Sequence, residues 1–147
     1  MDETYPSRVY SATKMFPGAK IIKAHPGQKF GFGGAEIEYY STIELVAPRD
    51  CDTGNTTSAV FSLTAEGQKI MFLGDSSSTM TDVLVKCYGK SLASDIVQVA
   101  HHGAHGGSVE LYKLIDMKVA FWPLGVWDYY NYGGHGRRNE TWNAYLI

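Results

Sequence analysis

Three of the chain's five histidines stand within five positions in "QVAHHGAHGG", residues 98–107, among glycines and directly after an apolar run. An imidazole is a nitrogen donor for borderline metals and a proton carrier near neutral pH, so such a cluster calls for a carboxylate to complete a site. Asp75 is the natural candidate, because "IMFLGD" (70–75) ends in the same manner: an apolar run, a glycine and a polar residue. A strand delivers its last side chain rigidly to the rim of a sheet, and the adjoining glycine lets the chain turn there. If the two strands are neighbours, Asp75 and His101 or His102 converge. Nitrogen and oxygen donors together suit Zn²⁺ or Mn²⁺, and a carboxylate can bridge the two ions of a hydrolytic centre.

Each residue also has a plainer use. Gly-Asp after a strand serves as a turn or helix cap, and a His-His pair can be a satisfied polar end of a strand. Two such ends in one chain favour the site over the coincidence. His105 lies in a glycine-rich turn and reads as solvated or as a support to a ligand; His25, before Pro26, reads as a turn residue. His135, in "YGGHGRRN", lies beyond the next strand and can return to the same rim.

The positioning elements follow from periodicity and punctuation. "TYPSRVYSATKMFPGAK" (4–20) reads as a helical or irregular lead-in ending at Pro17-Gly18, and "KIIKA" (20–24) as a short strand stopped by "HPGQ". "AEIEYYS" (35–41) and "TIELVAP" (42–48) read as strands, and "RDCDTGNTTS" (49–58) as loop. "SAVFSLTA" (58–65), a Glu-Gly turn and "KIMFLGD" (69–75) form a hairpin. "STMTDVLVKCYG" (78–89) has helical spacing, with Ser78 or Thr79 as N-cap and Gly89 at its end. "DIVQVA" (95–100) is a buried-type strand, "SVELYKLIDM" (108–117) a helix capped by Ser108, "KVAFWP" (118–123) a strand, and "ETWNAYLI" (140–147) a helix capped by Asn139. Several strands followed by β-α-β-α-β-α predict a layered α/β sheet.

Composition narrows the function. At 147 residues, 44% hydrophobic and 19% charged, the chain has the make-up of one globular domain. A net charge of −2, without a run of Lys or Arg, argues against a dedicated nucleic-acid surface. No apolar stretch approaches the ~20 residues of a bilayer span. The opening "MDETYPSRVY" is unlike a signal peptide, and Cys51 and Cys87 have no metal-type or redox spacing. They read as reduced thiols, which makes a cytoplasmic setting the expectation. The aromatic, glycine-rich "FWPLGVWDYYNYGGHGRRN" (121–139) suits an ordered loop over a site or an aromatic cover on the core.

Taken in order, the Asn-containing turn, the hairpin ending in Gly-Asp, the helix, the strand ending in His-His-Gly, the next helix and strand, and a late histidine resemble the C-terminal half of metallo-β-lactamase-fold hydrolases. The variety is that of the soluble domain of the competence protein ComEC, and the likeness covers about residues 35–147. The resemblance implies half of an αββα sandwich, a mixed sheet with helices on one face, as a single partial domain over 1–147. It implies Asp75 and His101 as metal ligands, with His102 and His135 beside the substrate. Asn55 stands near the place of an earlier-loop histidine, and Asn55 and Arg137, with its neighbour Arg138, become substrate contacts.

The same family supplies most of its ligands from a His-x-His-x-Asp-His motif in its N-terminal half, and this sequence has no such string. The expectation is therefore a C-terminal portion of a Zn- or Mn-dependent hydrolase of esters or phosphodiesters, without a full active site of its own. Its expected partners are the missing half or a second copy of itself as a homodimer, and no membrane. The competing reading is a non-catalytic half-domain that serves as an assembly or binding module.

Overall fold

The computed structural model describes residues 14–20, 22–42, 53–103 and 106–125. They form a six-stranded mixed sheet with strand order equal to chain order: β1 Lys29–Phe32, β2 Ala35–Ser41, β3 Val60–Ala65, β4 Gln68–Phe72, β5 Ile96–Gln98 and β6 Val119–Phe121. The first four pair antiparallel, while β4–β5 and β5–β6 pair parallel through the helices α1 (Ser78–Tyr88) and α2 (Val109–Ile115). A single helical turn, Thr53–Thr56, precedes β3, and a 3₁₀ turn, Gly89–Leu92, follows α1. The layered α+β class expected from the sequence is the one observed.

Local chemistry accounts for most of these elements. α1 buries Met80 and Leu84, four residues apart on one face, and Ser77 caps it by accepting from Met80 N. The cap is thus Ser77, one residue ahead of the expected Ser78 or Thr79, because Ser77 has the extended backbone that a cap needs. Ser108 caps α2 as expected, accepting from Leu111 N at 3.3 Å. The strand expected at 20–24 is absent among its described residues, which carry no regular structure. Among the described residues the first strand is Lys29–Phe32, folded onto β2 through Gly33-Gly34. Both glycines have positive φ (53° and 84°), the two-residue turn whose twist matches that of paired strands. Thr42 lies outside any strand; the rest of "TIELVAP", Cys51 and the expected helix 140–147 lie outside the described residues. Cys87 is a free, exposed thiol.

The two faces of the sheet differ. Val60, Met71, Leu73, Val97 and Val99 are fully buried in one core with Met80, Leu84, Leu111, Tyr112 and Ile115 of the helices. Residues of opposite parity form the other face, and strand register aligns Tyr39, Phe61 and Phe72 across it, with Ile37, Leu63 and Ile70 in the next row. Phe61 and Phe72 stack with centroids 4.9 Å apart, and Tyr39 leans on Phe61 at 5.5 Å. At its margins Phe32, Val119 and Phe121 are about half exposed (57%, 47% and 57%). Among the described residues no second layer covers this apolar face.

Tyr40 gives the core a testable pH response. The ring is fully buried, its hydroxyl donates to Glu38 Oε2 at 2.8 Å, and burial pushes the phenol up to about 12. A group raised in the folded state contributes stability below its unfolded value, near 10 for Tyr, and that contribution is lost as pH climbs towards the folded value. The urea midpoint is therefore expected to fall between about pH 10 and 12, and Tyr40→Phe to flatten that fall. An equal fall in the variant would show that Tyr40 is not the titrating group.

Candidate functional site

Because β4 and β5 are adjacent and parallel, the segments leaving their C-terminal ends meet on one rim. Asp75 follows β4 and the His101-His102 pair follows β5. The imidazole that reaches the carboxylate is that of His102, with Nε2 3.5 Å from Asp75 Oδ1. His101 lies alongside, its ring centroid 6.3 Å from that of His102, and its backbone N–H donates to Gly74 O at 2.9 Å.

The second ring nitrogen of His102 decides what this pair can do. Nδ1 lies 2.7 Å from the Pro123 carbonyl oxygen, which has no proton to give, so Nδ1 carries the hydrogen and donates it. Nε2 is the ring nitrogen left facing the Asp75 carboxylate. Two donors about 2.1 Å from a tetrahedral zinc stand about 3.4 Å apart, close to the separation found. The edge of an octahedral Mg²⁺ site is nearer 3.0 Å. The separation is of the order spanned by two donors to one divalent ion. Both side chains are about half exposed and open to solvent. Among the described residues no third His, Cys, Asp or Glu joins them in a metal-sized group.

The backbone at the pair is strained. His101 (φ 48°, ψ 47°) and His102 (φ 55°, ψ 22°) are consecutive left-handed residues, a conformation costing roughly 1–2 kcal/mol each away from glycine. Hydrogen bonds hold it: His101 N to Gly74 O, Trp122 Nε1 to His102 O, and Ala100 N to the Tyr112 hydroxyl at 3.0 Å. On the β4 side, Gln98 Oε1 accepts from Leu73 N (3.1 Å) and Gly74 N (2.8 Å), so the turn that carries Asp75 is pinned by a side chain of β5. At the opposite end of these strands, Asp95 accepts from Lys69 N and from Lys118 Nζ, tying β4, β5 and β6 together. The Lys118 ammonium holds the Asp95 carboxyl below the usual carboxylate range.

Asn55 sits on the helical turn Thr53–Thr56. Its helical turn is joined to the segment after Asp75 by the Thr56 and Ser77 hydroxyls, 3.3 Å apart, and Ser58 and Ala59 pass beside Gly74. His105, His135, Arg137 and Arg138 lie outside the described residues. Sequence reasoning missed Gln98, Trp122 and Pro123. A polar residue inside the apolar run "IVQVA" was the available signal for Gln98; nothing in "FWP" pointed to His102.

Among the described residues no helix is long and apolar enough to cross a membrane. Neither a scan against protein-family models nor a search of curated proteins finds a match to this chain.

Proposed function

We propose that the chain is part of a metal-dependent hydrolase of the metallo-β-lactamase kind, similar to the soluble domain of ComEC, acting on esters or phosphodiesters. The observation that carries this reading is the 3.5 Å separation of His102 Nε2 and Asp75 Oδ1, with the other imidazole nitrogen already committed to Pro123 O. Two further features support it. From the hairpin to β6 the described elements follow the order of the resemblance, and the sheet presents helices on one face and an apolar aromatic surface on the other, as half of an αββα sandwich would.

In this reading Asp75 and His102 would hold a Zn²⁺ or Mn²⁺ ion, and His101 would be the ligand to a second ion that the resemblance implies. Such an ion supplies a water ionised near neutral pH and polarises the scissile bond. The resemblance gives Asp75 the metal-bridging role, and Gln98 holds the turn that carries it. Asn55, His135 and Arg137 are assigned to the substrate. The His-x-His-x-Asp-His ligands come from another part of the assembled protein, seated with its own sheet on the apolar face; a second copy of this chain is the alternative partner.

Incubation of the purified chain with Zn²⁺ or Mn²⁺, followed by dialysis and metal analysis, tests the reading. Stoichiometric uptake is expected of the chain alone; hydrolysis of bis(p-nitrophenyl) phosphate against p-nitrophenyl acetate is expected only of the assembled protein, where it identifies the ester class. No retained metal would overturn the reading in favour of the assembly module.

A further inference from the structure

The imidazole and the carbonyl of His102 are both gripped by the chain leaving β6. Nδ1 donates to Pro123 O at 2.7 Å, and Trp122 Nε1 donates to His102 O at 2.8 Å. The two bonds cross twenty residues of sequence and close a small ring around the histidine. The indole reaches this position because residue 103 is glycine: a Cβ there would stand 2.0 Å from Trp122 Nε1. His102 O accepts the indole N–H while its own backbone is left-handed, so the contact also helps to hold the strained pair.

We propose that Trp122 and the Pro123 carbonyl form a clamp that sets the tautomer of His102 and turns its Nε2 towards Asp75, which makes Trp122 a positioning residue for cation binding. A ring nitrogen whose partner is a fixed carbonyl has its proton assigned for it, and the remaining nitrogen becomes the better ligand. The clamp presupposes the metal-dependent reading for its purpose, but its geometry is a property of the metal-free chain.

Long-range ¹H–¹⁵N correlation on ¹⁵N-histidine protein, with chelator and at about pH 8, above the ordinary imidazole value, reads the tautomer directly. The His102 signals are identified by their loss in His102→Gln. The expected result is a protonated Nδ1 and a bare Nε2, the reverse of the tautomer that free imidazole of histidine favours. Trp122→Phe keeps an aromatic ring against Gly103 but removes the indole N–H, and is expected to give averaged shifts and a 10–100-fold loss of Zn²⁺ affinity. A wild-type protein with Nε2 protonated, or a folded Trp122→Phe variant with the wild-type pattern, overturns the clamp. If Trp122→Phe fails to fold, the wild-type spectrum decides alone. A fixed tautomer without Zn²⁺ uptake sinks the hydrolase reading and leaves the clamp; uptake with averaged tautomers sinks the clamp only.

Discussion

Asp75→Ala and His102→Ala are each expected to weaken Zn²⁺ binding by at least about 100-fold, since removing groups that merely support a ligand already costs 10–100-fold. Competition with a chromophoric chelator measures this directly. Both side chains are about half exposed and neither belongs to the buried core, so the variants are expected to keep the fold and lose the ion. His101→Ala is the informative comparison. The geometry ranks His102 as the partner of Asp75, whereas the family resemblance assigns that role to His101. A larger loss in His101→Ala than in His102→Ala would overturn the geometric ranking, and equal affinities in all three variants and wild type would remove Asp75 from the site.

Gly103→Ala carries the largest expected cost in stability, roughly 3 kcal/mol. One part is the backbone: φ is +76°, a region that costs an alanine about 1–2 kcal/mol. The rest is steric, because the new methyl would stand 2.0–2.4 Å from Nε1, Cε2 and Cζ2 of Trp122, and displacing a packed ring costs about 1–3 kcal/mol. Gly67→Ala separates the two parts. Its φ is +75° and nothing lies within 4 Å of the position, so only the backbone cost is expected. Urea midpoints of the two variants should differ by the steric share, and coincident midpoints would show that the indole does not rest on Gly103.

Much of the architecture was legible because it is encoded in short-range periods. "AEIEYYS" alternates and is β2 with the same bounds; "VELYKLI" spaces its apolar residues for a helix, with a serine ahead of it to take the first amides. The glycines of "KFGFGG" mask its strand in the sequence, although as a pair they build a hairpin turn. The Gly-Asp and His-His-Gly ends were visible as punctuation after apolar runs. Their meeting was conditional on strand adjacency, which spacing along the chain does not encode.

What residue order specified, then, was which side chains stand at strand ends and which segments could carry them, since both depend on contacts within a few residues. Three things came only from folding: the parallel seating of β5 against β4, the left-handed turn that presents His102 to Asp75, and the reach of Gln98, Trp122 and Pro123 into the site. Those contacts join residues about 20 or more positions apart. Their geometry is set by how the sheet and helices pack, and packing is a property of the whole core that no local pattern records.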